Sequence, residues 1–172
     1  METLQAIHTR RSIRAYTDTP VSDAQVRDIV TAGMAAPSAG NEQPWQFVVI
    51  RDREKLAAIS ETRTYAEMVK DAQVAILVCA DLEKLKHQEY WVQDCAAATE
   101  NMLLAAHALG LGSVWIGIHP REKRVADFRM LIPLPDHIIP FSLLPVGYAG
   151  EEKSPAERFD PSRIHYEKWQ GR

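Results

Sequence analysis

The chain has 172 residues, 46% hydrophobic and 25% charged, an ordinary globular balance that suits one domain spanning 1–172. Its formal net charge of −3 argues against a general nucleic-acid or membrane-surface binder, which needs a broad basic face. Two cysteines, Cys79 and Cys95, lie outside any metal or disulfide spacing, and no apolar stretch reaches the ~18 residues of a membrane span, so a reducing cytoplasm is the expected compartment.

The first marked stretch is "HTRRSIRAY". Alternation along an extended segment puts Arg10, Ser12 and Arg14 on one side, with Arg11 and Ile13 on the other. Arginine offers a rigid fork that matches phosphate oxygens, and a serine hydroxyl can add one bond. Alone, such a stretch also reads as a solvated basic turn. "VSDAQVRDIVTAGMAAPS" follows as a helix: Ser22 and Gln25 fit a capping box, and Val26, Ile29, Val30, Gly33 and Met34 share one face. Pro37 ends it. The loop "APSAGNEQPWQF" offers amide donors and little bulk, and leads into a strand whose apolar part is Val48 to Ile50.

Two short helices are expected at 53–60 and 64–70. "AQVAILVCA" has strand length and no polar face, the pattern of a central strand. An alanine-rich helix at 94–109 is apolar nearly all round and needs cover on several sides. A subunit interface and the core of a monomer both provide that. A third strand is expected at 113–118. The fourth, at 137–149, carries Pro140 and Pro145 and reads as an edge or bent strand. The polar tail from 150 to 172 ends in Tyr166 and Trp169, aromatics that a free tail rarely carries. It is expected to lie against a second subunit.

Exclusion narrows the chemistry. No GxGxxG follows a strand, and GxxxxGK[ST] and GxSxG are absent. The six histidines lack HExxH or CxxC companions, so no metal site is expected. An anion site remains, without a designated catalytic side chain.

"RRSIRAY", "APSAGNEQPWQF", "DCAAATENMLLAAHALGLGSVWIG" and "PVGYAGE…ER…HYEKW" occur in this order over nearly the whole chain. Together they resemble the nitroreductase family of flavoproteins. The resemblance implies an α+β fold with a central mixed or antiparallel sheet between helices. It also implies a homodimer joined through long helices, with FMN at the interface. By this resemblance Arg10, Ser12 and Arg14, with Arg11 beside them, hold the FMN phosphate and ribityl chain, completed by Arg158. Pro37, Ser38, Ala39, Asn41 and Gln43 approach the flavin from the other subunit, and the backbone at Trp115, Ile116 and Gly117 faces it.

One departure is visible. Many family members carry an Asn and a Lys, three residues apart, at the flavin's pyrimidine edge; here Tyr65 and Met68 stand there, with Lys70 off register. The implied activity is NAD(P)H-dependent reduction of nitroaromatic, quinone or related small-molecule acceptors by a ping-pong cycle. Rival readings are a specialised flavoenzyme, a dehalogenase or flavin-fragmenting type with 81–93 as a lid, and a non-enzymatic flavin-binding regulatory module.

Overall fold

The structure is a computed structural model that describes residues 1–62, 65–169 and 171. Its helices are α1 (Thr3–Thr9), α2 (Asp23–Met34), α3 (Arg53–Glu61), α4 (Trp91–Ala108) and α5 (Glu122–Leu131). Its strands are β1 (Trp45–Ile50), β2 (Val74–Asp81), β3 (Gly112–Ser113), β4 (Ile116–Gly117) and β5 (Ile138–Gly147). All strand pairs are antiparallel in the order β1-β2-β5-β3, with β4 also on β5. One isolated parallel bridge joins Ser12 to Ser113.

Strand β2 sets the layers. Val74, Ile76, Val78 and Ala80 enter one apolar cluster, shared with α2 and α4. Ala75, Leu77 and Cys79, the alternate positions, enter a second cluster with Leu56 and Ile59 of α3 and Phe128 of α5. A strand without a polar face must be covered on both sides, and here helices cover both. Leu77 has no exposed surface. Leu77→Ala should therefore cost about 2–5 kcal/mol of stability in a urea titration, the range for emptying a buried leucine site.

Helix α2 starts as its sequence dictates. The Ser22 hydroxyl accepts from the Gln25 N–H and the Gln25 side chain accepts from the Ser22 N–H. Val26, Ile29 and Gly33 are buried, but Met34 is exposed. The helix stops there, because Pro37 disfavours helical geometry at the residue before it. A Cβ at Gly33 would fall 2.8 Å from Met102 of α4, so glycine lets the two helices close up.

Of the two forms expected for the fourth strand, edge or bent, the edge is not found, while a register shift accompanies Pro140. β5 lies between β2 and the short strands, an interior position rather than an edge. Its prolines are accommodated by the register. With Ser113 opposite Val146 and Ile116 opposite Leu143, Pro145 faces Val114 and Pro140 faces His119. A proline has no N–H to give, so the expected single strand at 113–118 is split into β3 and β4 around Val114 and Trp115. On the other side, the β2–β5 register shifts between Val78 and Cys79, beside Pro140.

Residues 67–71 form a 3-10 turn (Glu67–Asp71) instead of a second α-helix, and the expected start at 64 lies outside the described residues. Helices α1 and α5 are additions to the sequence reading. Each buries a single side chain, Ala6 or Phe128, and so leaves no apolar periodicity to detect.

Candidate functional site

The segment 10–16 runs as an extended strap along the sheet. The Ile13 N–H donates to the Ser113 carbonyl at 3.0 Å, and Tyr16 bridges to Ala149. Gly112 makes the approach possible, since a Cβ there would fall 2.7 Å from the Ile13 side chain. The Arg14 N–H donates to the Glu151 carboxylate at 2.5 Å. That bond, reinforced by Lys153 at 3.0 Å, holds the Glu151 carboxyl below the usual carboxylate range.

A cleft of about 660 Å³ opens beside the strap. Arg14, Lys70 and Arg124 bring positive charge to its lining, Glu67 and Asp71 negative charge, and Tyr65, Met68 and the stretch from Val114 to Gly117 complete it. Three stretches far apart in sequence, at Arg14, 65–71 and 114–124, thus meet at one surface. The Arg124 guanidinium donates to the Gly117 carbonyl at 2.5 Å. A Cβ at Gly117 would meet nothing within 4 Å, so the backbone there borders open space.

Arg10, Arg11 and Arg158 line a separate recess together with His8 and Phe159. This departs from simple alternation, which would group Arg10 with Arg14. The Arg11 side chain is tucked under the segment after Gly150, donating to the Ser154 carbonyl at 2.8 Å and the Arg10 carbonyl at 2.5 Å. Its Nη2 is buried without a hydrogen-bond partner among the described residues. Arg10 faces Glu100 at 3.5 Å. The Ser12 carbonyl accepts from Lys153 at 2.8 Å. His107 stands against the Thr9 hydroxyl at 2.7 Å, and burial, with Arg10 and Arg11 nearby, pushes its pKa below the ordinary histidine value.

The loop from Pro37 to Gln43 lines neither the cleft nor that recess. Gly40, Asn41 and Gln43 all have left-handed backbones, with φ of 56°, 55° and 49°. That conformation costs a non-glycine residue about 1–2 kcal/mol, so other contacts must impose it. The Gln43 N–H donates to the Ser38 hydroxyl at 3.0 Å, and the Gln43 amide to the Asn41 side-chain oxygen at 3.0 Å. The Ala39 N–H donates to the Asp94 carboxylate at 3.0 Å. Glu42 accepts from the His87 N–H at 3.1 Å, which ties part of the 81–93 segment to the loop.

Sequence reasoning missed Arg124, Asp94 and Glu42. Arg124 sits on a helix without periodicity, and Asp94 looks like an ordinary first-turn acid. Both cysteines are buried. Burial pushes the Cys79 thiol up to about 12 and raises Cys95 further, so neither suits nucleophilic chemistry. Asp81, Glu83 and His137 bring ligand atoms within 4.8 Å of one another. Lys84 lies 4.0 Å from Asp81, and we assign no ion there. Among the described residues no helix is long and apolar enough to cross a membrane.

Comparison with known proteins adds context. The sequence profile of the Nitroreductase family matches residues 7–63 and 57–148. A relative from Methanothermobacter thermautotrophicus, provisionally named NADH dehydrogenase/NAD(P)H nitroreductase, is 52% identical over 169 residues, covering 98% of this chain and 88% of its own. A crystal structure from Parabacteroides distasonis, with the same provisional name, superposes with TM-score 0.93 at 39% identity over 97% and 98% of the two chains. A provisionally assigned nitroreductase from Desulfovibrio desulfuricans, crystallised in complex with FMN, gives TM-score 0.85 at 36% identity over 99% of each chain.

Proposed function

Because this chain belongs to the nitroreductase family, we propose that it is an FMN-dependent NAD(P)H oxidoreductase reducing nitroaromatic, quinone or related acceptors in a ping-pong cycle. The names of its relatives and the FMN complex of its Desulfovibrio neighbour support this reading. The observation that carries it is the convergence of Arg14, the 65–70 segment, Trp115–Gly117 and Arg124 on one cleft. Its volume falls within the roughly 300–1,000 Å³ of small-molecule sites.

The residues fit the cofactor. The unpartnered Arg11 Nη2 is a buried donor waiting for an acceptor, and Arg10 and Arg158 share its recess. These three suit the phosphate, with Ser12 on the connecting strap. Arg14 lines the cleft instead, so we assign it to the polar edge of the ring. There it and Lys70 supply the positive charge that Tyr65 and Met68 do not. The backbone at Trp115, Ile116 and Gly117 borders the flat floor, and glycine keeps that floor open. When bound, FMN supplies hydride acceptance from NAD(P)H and electron donation to the second substrate.

The chain's own contribution is position and electrostatics. The arginines neutralise the phosphate within a protein of net negative charge, and cations at the ring edge favour the reduced, more negative cofactor. Ser38, Ala39, Asn41 and Gln43 reach a flavin only from a second copy, so we assign a homodimer with Pro37–Gln43 of each subunit offered to the other. The tail beyond residue 150 exposes Phe159, Tyr166 and Trp169 and suits packing on that partner as part of one domain spanning 1–172. Buried free thiols suit the cytoplasm.

The purified protein should be yellow, and NADH or NADPH should bleach it without oxygen. Adding a quinone should restore the colour. A yellow protein that neither nucleotide bleaches would point to a flavin-binding module without this activity.

A further inference from the structure

The loop from Ser38 to Gln43 is strained and lies on the surface, yet it is fixed from behind by a buried charge. Asp94, in the first turn of α4, is only 6% exposed. One carboxylate oxygen accepts the Ala39 N–H at 3.0 Å; the other has no hydrogen-bond partner among the described residues. A carboxylate buried with so few bonds is costly to keep, and the positive end of α4 offsets part of that cost. An apolar side chain would fill the space without the cost. The bond to Ala39 is what it would not supply.

That bond sits at a sensitive place. Ala39 is the last residue before the left-handed pair Gly40 and Asn41. The Ser38–Gln43 and Asn41–Gln43 bonds close the loop on itself and do not tie it to the rest of the fold. Glu42 ties it to His87, on a segment that is itself largely exposed. Among the described residues, Asp94 makes the only hydrogen bond between the loop and the long helix α4, which is packed in the core.

We propose that Asp94 is a positioning residue for the flavin: by holding the Ala39 N–H, it presets the 38–43 loop in the shape offered to the neighbouring subunit's cofactor. The proposal rests on the flavin reading above and adds a residue that touches neither the cleft nor the cofactor.

The test compares Asp94→Ala, Asp94→Asn and Arg14→Ala by FMN titration, with amide exchange read at Ala39. In the wild-type protein without FMN, the Ala39 amide should be protected; exchange at the rate of a free peptide overturns the proposal without any variant. Asp94→Ala should lose that protection and weaken FMN binding about tenfold, the effect of one bond to a charged group. Asp94→Asn keeps an oxygen for the Ala39 N–H and should stay within about threefold of wild type, since only the bond is required. An Asn variant as impaired as the Ala variant would overturn the proposal, because charge and not positioning would then be the cause. Weak FMN binding in Arg14→Ala beside unchanged binding in Asp94→Ala overturns it while leaving the flavin reading intact. Unchanged binding in both overturns it together with the assignment of the flavin ring to the Arg14 cleft, and a wild-type protein that binds no FMN defeats the flavin reading itself.

Discussion

FMN should bind at least about 100-fold more tightly than riboflavin, because two charge-assisted bonds at roughly 1.5–3 kcal/mol each are lost with the phosphate. Arg10, Arg11 and Arg158 share one recess, and Arg11 brings to it a buried donor without a partner. Arg158→Ala should narrow the preference about tenfold and leave riboflavin binding unchanged. Arg11 is a poorer target, since it also holds the Ser154 carbonyl. Arg14→Ala should behave differently: it lines the cleft and not the recess, so FMN and riboflavin should weaken together. Fluorescence titration of both ligands against both variants separates the roles. Equal affinity of the wild type for the two ligands would remove the phosphate assignment.

Truncation after Asp160 should dissociate the dimer and release flavin in one step. The lost segment carries Ile164, Tyr166 and Trp169, which are 44%, 67% and 76% exposed in the single chain. Burying a large side chain contributes about 1.5–3 kcal/mol, and each tail would bring three to its partner. In the proposed dimer the 37–43 loop is offered to the partner's flavin, so loss of the partner should remove part of the cofactor's surroundings. Sedimentation and flavin absorbance on the same sample should fall in parallel over dilution. A truncated protein that sediments as a monomer with full flavin occupancy would show that the site is complete in one subunit.

The sequence was most legible where local chemistry and tertiary need agree. The Ser22–Gln25 capping box and the double-faced burial of β2 followed from side-chain types alone. So did the alanine-rich α4. The prolines of β5 misled because their local meaning, an edge, was overridden by register: β3 and β4 pair around them. The site was legible as a set of residues and less so as an arrangement. Spacing grouped Arg10 with Arg14; the fold divides them, because the segment after Gly150 folds over Arg11 and creates its own recess. Arg124 and Asp94 carried no local signal, as each acts through a backbone group brought near only by folding.

The interior place of β5 also governs how the protein is made. On the ribosome β1 and β2 can pair early, but one edge of β2 stays open until everything from Leu82 to His137 has been synthesised. Such an edge, apolar on both faces, is a template for wrong partners, and closing so long a loop is slow. The cleft comes later still, since the strap that carries Arg14 is fastened by Tyr16 to Ala149. Cofactor capture therefore waits for nearly the whole chain. A nascent chain halted before β5 would be a client for chaperones, with a sticky edge and no grip on flavin.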